Sequence, residues 1–145
     1  MSPETAFQIA NGLAPLAWIG LMAAPRSKVV QRAVLNGAFI AGLSVAYAAV
    51  VFTHFDLSGA DFTSLEGVMA LLNDPWAMTA GWIHYLAFDL LAGVMVTRKA
   101  LEMDMPFVMR VPCQLGCFML GPVGVVLFIA LAKARGARWN EIALG

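Results

Sequence analysis

The chain has 145 residues, 61% of them hydrophobic and 12% charged, with nine Lys and Arg balancing nine Asp and Glu. An ordinary soluble domain carries about 25% charged residues, so this composition, with a mean hydropathy of +0.78, excludes a soluble fold and describes an integral membrane protein. Zero net charge and basic residues held in small clusters beside apolar runs leave no patch for nucleic acid.

At about 20 residues per span, the length accommodates one domain, residues 1–145, with spans over about 7–24, 33–52, 76–97 and 107–132. The fold class expected is an all-α membrane protein, a four-transmembrane-helix bundle with a short interfacial helix between spans 2 and 3. The first run, Phe7 to Ala24, aligns Gln8, Asn11, Gly12 and Pro15 on one face, and the second, Ala33 to Phe52, aligns Asn36, Leu43 and Tyr47 with His54 beyond it. The acidic N-terminus, Met1-Ser-Pro-Glu-Thr, lacks the basic region of a secretory signal, so the first run is expected to be an uncleaved helix.

Between the second and third runs the connection is acidic, with Asp56, Asp61, Glu66 and Asp74. Thr63-Ser64-Leu65-Glu66 fits a capping box, and Leu65, Val68, Met69 and Leu72 then recur at helical spacing, which predicts the interfacial helix. Asp74 as N-cap and Pro75 at the first helical position start the third run, Trp76 to Thr97. In the fourth, Phe107 to Ala132, Cys113, Gly116, Cys117, Leu120 and Gly124 form a small-residue stripe around the break Gly121-Pro122-Val123-Gly124. The two cysteines, four apart on one face, suit buried packing thiols better than a disulfide or a zinc site. Four spans would place Arg26, Lys28, Arg32, Arg98, Lys99 and Arg110 on one side and Lys133, Arg135 and Arg138 on the other, with both termini outside.

Asp89 sits mid-run in Gly81-Trp82-Ile83-His84-Tyr85-Leu86-Ala87-Phe88-Asp89-Leu90. A carboxylate at that depth costs roughly 2.5 to 3.5 kcal/mol on insertion scales, so it calls for a partner, a cavity or a job. At 100° per residue, Trp82, Tyr85, Asp89 and Gly93 share one side, and His84 lies about 140° away from Asp89. Asp89 as a structural hydrogen-bonding group for Asn36, Gln8 or Asn11 remains open, as does a neutral His84 satisfied by one neighbour. No metal-ligand spacing, phosphate-binding glycine loop or nucleophile elbow occurs, so neither metal nor cofactor is expected.

Leu65-Glu66-Gly67-Val68, Asp74-Pro75, the Gly81 to Leu90 element and Gly121-Pro122-Val123-Gly124, in this order, resemble the neoxanthin-synthase-like membrane family named for a plant abscisic-acid-deficiency gene. The resemblance implies redox-neutral isomerisation of a carotenoid or related long apolar isoprenoid, in which a 5,6-epoxide opens to an alcohol while a neighbouring proton leaves to give an allene. Such chemistry needs an acid at the epoxide oxygen and a base near the departing proton. Asp89 is then the expected proton-handling carboxylate, with His84 or Glu66 as counterpart and Trp82, Tyr85, Phe88, Asn36 and Tyr47 lining the polyene. Lack of the plastid transit segment of plant members points to a bacterial inner membrane. Noncatalytic binding of a carotenoid, retinoid or sterol is the alternative. A small proton-coupled carrier is disfavoured by the scarcity of polar residues after Gly93. The partners expected are the bilayer and a lipophilic ligand, and a homo-oligomer is compatible with the sequence.

Overall fold

A computed structural model describes residues 1–54 and 60–142, and among them it is entirely helical, without strands. Helix α1 spans Pro3–Ala23; Ser2 caps it by accepting the Thr5 amide, and Pro3 occupies the first turn, where a missing N–H costs nothing. Helix α2, Lys28–Val30, runs through a π-helical segment, Gln31–Leu35, to a turn at Asn36-Gly37 and then α3, Ala38–His54. The left-handed Gly37, φ 85°, makes that turn.

Helix α4, Leu65–Leu72, forms where the sequence predicts a short helix, but its cap is displaced by one residue. Ser64 accepts the Gly67 amide, and Asp61 takes the place expected of Glu66, accepting from the Thr63 amide and from the Thr63 and Ser64 hydroxyls. These bonds hold the Asp61 carboxyl at about 2, below its ordinary value, the Ser64 hydroxyl contributing most. Helix α5, Pro75–Glu102, starts as expected: Asp74 accepts the Trp76 and Ala77 amides at 2.9 Å with Pro75 at the first position.

α5 is the hub, packing against α1, α3, α4 and both later helices. Its buried side includes Ile83, Leu86, Asp89, Leu90, Gly93, Val94 and Thr97. Gly93 leaves room for the buried Trp18 ring of α1, which would overlap any Cβ there. Such close approach is the van der Waals packing that joins helices in a bilayer. Three helices are long and apolar enough to cross a membrane: Pro3–Ala23, Lys28–His54 and Pro75–Glu102.

The fourth apolar run departs from the expected span. It forms two helices, α6, Phe107–Leu120, and α7, Pro122–Ala134, packed against each other and joined at Gly121. A Cβ on Gly116 would stand 2.8 Å from the Gly124 Cα, and one on Gly124 would overlap the Cys117 amide and the Cys113 carbonyl. Small residues thus let α7 turn back along α6. At about 1.5 Å per residue, the 14 residues of α6 reach about 21 Å, short of a bilayer's roughly 30 Å hydrocarbon core.

The far end of the hairpin returns to where it started. Arg135, Gly136 and Ala137 share a cleft with Lys99, Glu102 and Met103 at the end of α5, beside Glu141 of the last helix, α8, Trp139–Ile142. Nearby, Arg110 donates to the Leu21 carbonyl and Arg98 to that of Leu35. Lys133, Arg135 and Arg138, expected opposite the other cations, therefore lie at the same end as Arg26, Lys28, Arg32, Arg98, Lys99 and Arg110, which together are all nine Lys and Arg of the chain. Glu4, Asp61, Glu66 and Asp74 occupy the opposite end, where Thr79 donates to the Pro3 carbonyl and His54 stacks on Trp76.

Candidate functional site

Asp89 stands halfway along the 28 residues of α5 and is 7% exposed. The hairpin tip abuts it: Gly121 has φ 46°, and a Cβ there would overlap the Asp89 carboxyl. Glycine is required at that position twice, for the left-handed backbone and for the space. Asp89 Oδ2 is buried and has no hydrogen-bond partner among the described residues. An unpartnered polar atom in an apolar interior costs free energy that a bound polar group or a shared proton would recover.

One turn before Asp89, Tyr85 donates to the Met119 carbonyl at 3.1 Å, near the end of α6. Its ring stacks on Trp82 at 5.5 Å, and the Trp82 indole N–H donates to Asn11 Oδ1 of α1 at 3.2 Å. These residues line a groove of about 450 Å³ between α1, α5 and the hairpin, completed by Ala14, Pro15, Leu86, Phe118 and Met119. It is mostly apolar, with the Asn11 amide and the Tyr85 hydroxyl as polar groups. A mostly apolar concavity with a few placed polar groups is the general form of a small-molecule site. Asp89 is not part of the groove wall and lies behind Tyr85.

The expected site residues divide. Trp82, Tyr85 and Asp89 come together on one side of α5, as the helical arithmetic requires. His84 and Phe88 turn toward α3, where the His84 ring packs at 5.3 Å from Tyr47 and 4.5 Å from Phe88, and both are exposed. His84 therefore does not meet Asp89. Glu66 is exposed in the first turn of α4, at the acidic end. Asn36 ends the π-helical segment at the basic end, level with Arg98, and is exposed. Neither shares a cavity with Asp89. Of the structural partners weighed for Asp89, Asn11 is bonded to Trp82 instead, and Gln8 lies with Pro3 and Phe7 near the start of α1.

Gly121, Met119 and Phe118 are the site residues that side-chain chemistry alone does not reveal. Gly121 and Met119 meet α5 through backbone, and the Gly-Pro-Val-Gly break is their sole trace in the sequence. Among the described residues, no three His, Cys, Asp or Glu side chains group as metal ligands would.

Compared with known proteins, residues 5–128 match the family model described as ABA DEFICIENT 4-like. No match is found among curated proteins or solved structures.

Proposed function

The chain belongs to the ABA DEFICIENT 4-like family, and from that premise we propose that this carotenoid-related membrane protein is an isomerase of a carotenoid or related long apolar isoprenoid, with Asp89 as the proton-handling group. One observation carries this: a carboxyl oxygen without a partner, buried beside a backbone break at the middle of α5 and one helical turn from an aromatic groove. The polyene would lie along Trp82, Tyr85 and Phe118, reached sideways from the lipid, with an oxygenated ring directed past Tyr85 toward Asp89.

The reaction is redox-neutral. As the epoxide C–O bond breaks, its oxygen gains a proton and a neighbouring carbon loses one, the C–H electrons forming the new double bond of the allene. Asp89 delivers or receives one of these protons, and a positioned carboxyl contributes typically 10²–10⁴-fold to such a step. The Tyr85 hydroxyl, which neighbours the Asp89 carboxyl, is the second proton-bearing group at hand. For Tyr85 to serve, its bond to the Met119 carbonyl must open.

The test is incubation of the reconstituted protein with an epoxidised carotenoid, followed by absorption and mass. A product of unchanged mass and shifted absorption, formed by wild type and lost in Asp89→Asn, is the expected result. A second reading, noncatalytic carotenoid binding, draws on the exclusion of Asp89 from the groove wall. It predicts a ligand recovered unaltered by both proteins.

The membrane arrangement is inferred from the same structure. We infer three crossings with α6 and α7 re-entering from the basic end, and α4 lying in the opposite interface. The positive-inside rule then places all nine cations in the cytoplasm, with the N-terminus outside and the C-terminus inside. Reporter tags on the two termini should give opposite answers; the same answer from both would restore four crossings.

A further inference from the structure

At the basic end, remote from Asp89, one arginine is buried. Arg110, in the first turn of α6, is 6% exposed, with Phe107 5.8 Å from its guanidinium. One N–H donates to the Leu21 carbonyl at 3.2 Å, and Gln114 donates to the same oxygen at 3.1 Å. Leu21 lies in the last turn of α1, which contains no basic residue of its own, so Arg110 and Gln114 satisfy that helix end from a neighbouring element.

Capping accounts for one of the five guanidinium N–H groups. No other protein acceptor binds Arg110 among the described residues, and Arg26, exposed five residues past the Leu21 carbonyl that Arg110 caps, brings a second cation to the same helix end. Carboxylates at this end are committed elsewhere or exposed: Glu102 pairs with Lys99 at 2.9 Å, Glu141 pairs with Arg138 at 3.0 Å, and Asp104 sits in the turn between α5 and α6. A second polar atom in the cluster, Gln114 Oε1, is buried without a partner. The remaining guanidinium N–H groups of Arg110 are not among the buried unpartnered atoms, so they reach the surface beside a second cation, and with no carboxylate among the described residues paired to them they are free to take an anion from outside.

We propose that Arg110 and Arg26 bind the phosphodiester of an anionic phospholipid headgroup, with Arg110 as the planar, multidentate donor and the exposed Arg26 as the outer clamp. Guanidinium forks match phosphate oxygens in this way. The lipid is favoured over a soluble anion by place: Arg110 lies at the open end of an apolar hairpin, where Phe107 and Val108 are exposed beside it and fit acyl chains.

The test uses the full chain in nanodiscs of mixed phosphatidylglycerol and phosphatidylcholine, with retained lipid read by native mass spectrometry. Wild type should retain phosphatidylglycerol selectively, and Arg26→Gln should lose about fivefold of that preference. Arg110→Gln should lose more; because it also uncaps α1, the exposed Arg26 variant carries the decision. Arg32→Gln, an exposed cation at the same end, should leave the preference unchanged. Equal retention of both lipids, no loss in Arg26→Gln, or equal loss in Arg32→Gln would each overturn the site. Inorganic phosphate displacing the lipid at matched concentration would reassign it to a soluble anion.

Discussion

The two sides of α5 carry similar residue types and do different things with them. Toward α1 and the hairpin, Trp82, Tyr85 and Asp89 meet backbone and side chains from three elements, and each polar tip has a definite neighbour or a definite lack of one. Toward α3, Tyr47, His84 and Phe88 form an aromatic ladder in which His84 is exposed and Phe88 is 59% exposed. Aromatic and ionisable residues in one sequence element do not by themselves make one site. What distinguishes the sides is the glycine-lined hairpin, which brings a helix break against the carboxyl.

The largest expected effect breaks this comparison directly. Asp89→Asn keeps size and hydrogen-bonding capacity but cannot exchange a proton, so turnover should fall by about 10²–10⁴-fold with the polyene still bound. His84→Gln should leave turnover within about twofold, since an exposed side chain away from the reacting atoms contributes no such proton transfer. The reverse ranking, read from product absorption, would move the chemistry to the α3 side.

Next comes the hairpin itself. Gly124→Ala places a methyl group into the Cys113 and Cys117 backbone, and should lower stability by about 3 kcal/mol, measured as unfolding in detergent. Phe88→Ala on the other side should cost far less, because its ring is already mostly exposed. Equal losses would mean that the two sides are packed alike.

A smaller effect sharpens the groove. Trp82→Phe keeps the ring stack but frees Asn11, and should weaken carotenoid binding by about 1 kcal/mol, roughly fivefold, measured by ligand titration. The smallest lies off both sides, at the cap of α4. Asp61 has a lowered carboxyl, held at about 2 from an ordinary 3.8, so its contribution is complete above about pH 4 and fades as pH falls through about 2. Asp61→Asn should remove that acid dependence from the protection of the α4 amides, the variant being less protected than wild type above about pH 5 and the two converging as pH falls to about 2.

Much of this is open to sequence reasoning, for stateable reasons. Apolar length and the Ser2, Asp74 and Pro75 signals locate α1 and α5, because capping chemistry is local. Asp89 is conspicuous because a carboxylate in lipid is expensive. The fourth run misleads because hydropathy measures how long a segment is apolar and says nothing about whether it reverses. Asn36 is misplaced by an unbroken helical periodicity, because the π-helical turn at Gln31–Leu35 rotates the residues after it. The neighbour of Asp89 is hidden because it is a glycine, visible through the space it leaves.

The separation of charge between the two ends has an electrical consequence. Moving one elementary charge through a membrane potential takes about 2.3 kcal/mol per 100 mV. In the orientation proposed above, inverting the molecule would carry nine cations outward together with Glu102, Asp104 and Glu141, a net of six positive charges, against an inside-negative potential, and bring Glu4, Asp61, Glu66 and Asp74 inward against the same field. The potential opposes both transfers, so an energised membrane acts as a latch on the inserted orientation, and mixed populations of opposite sense should appear only where the potential is collapsed during insertion.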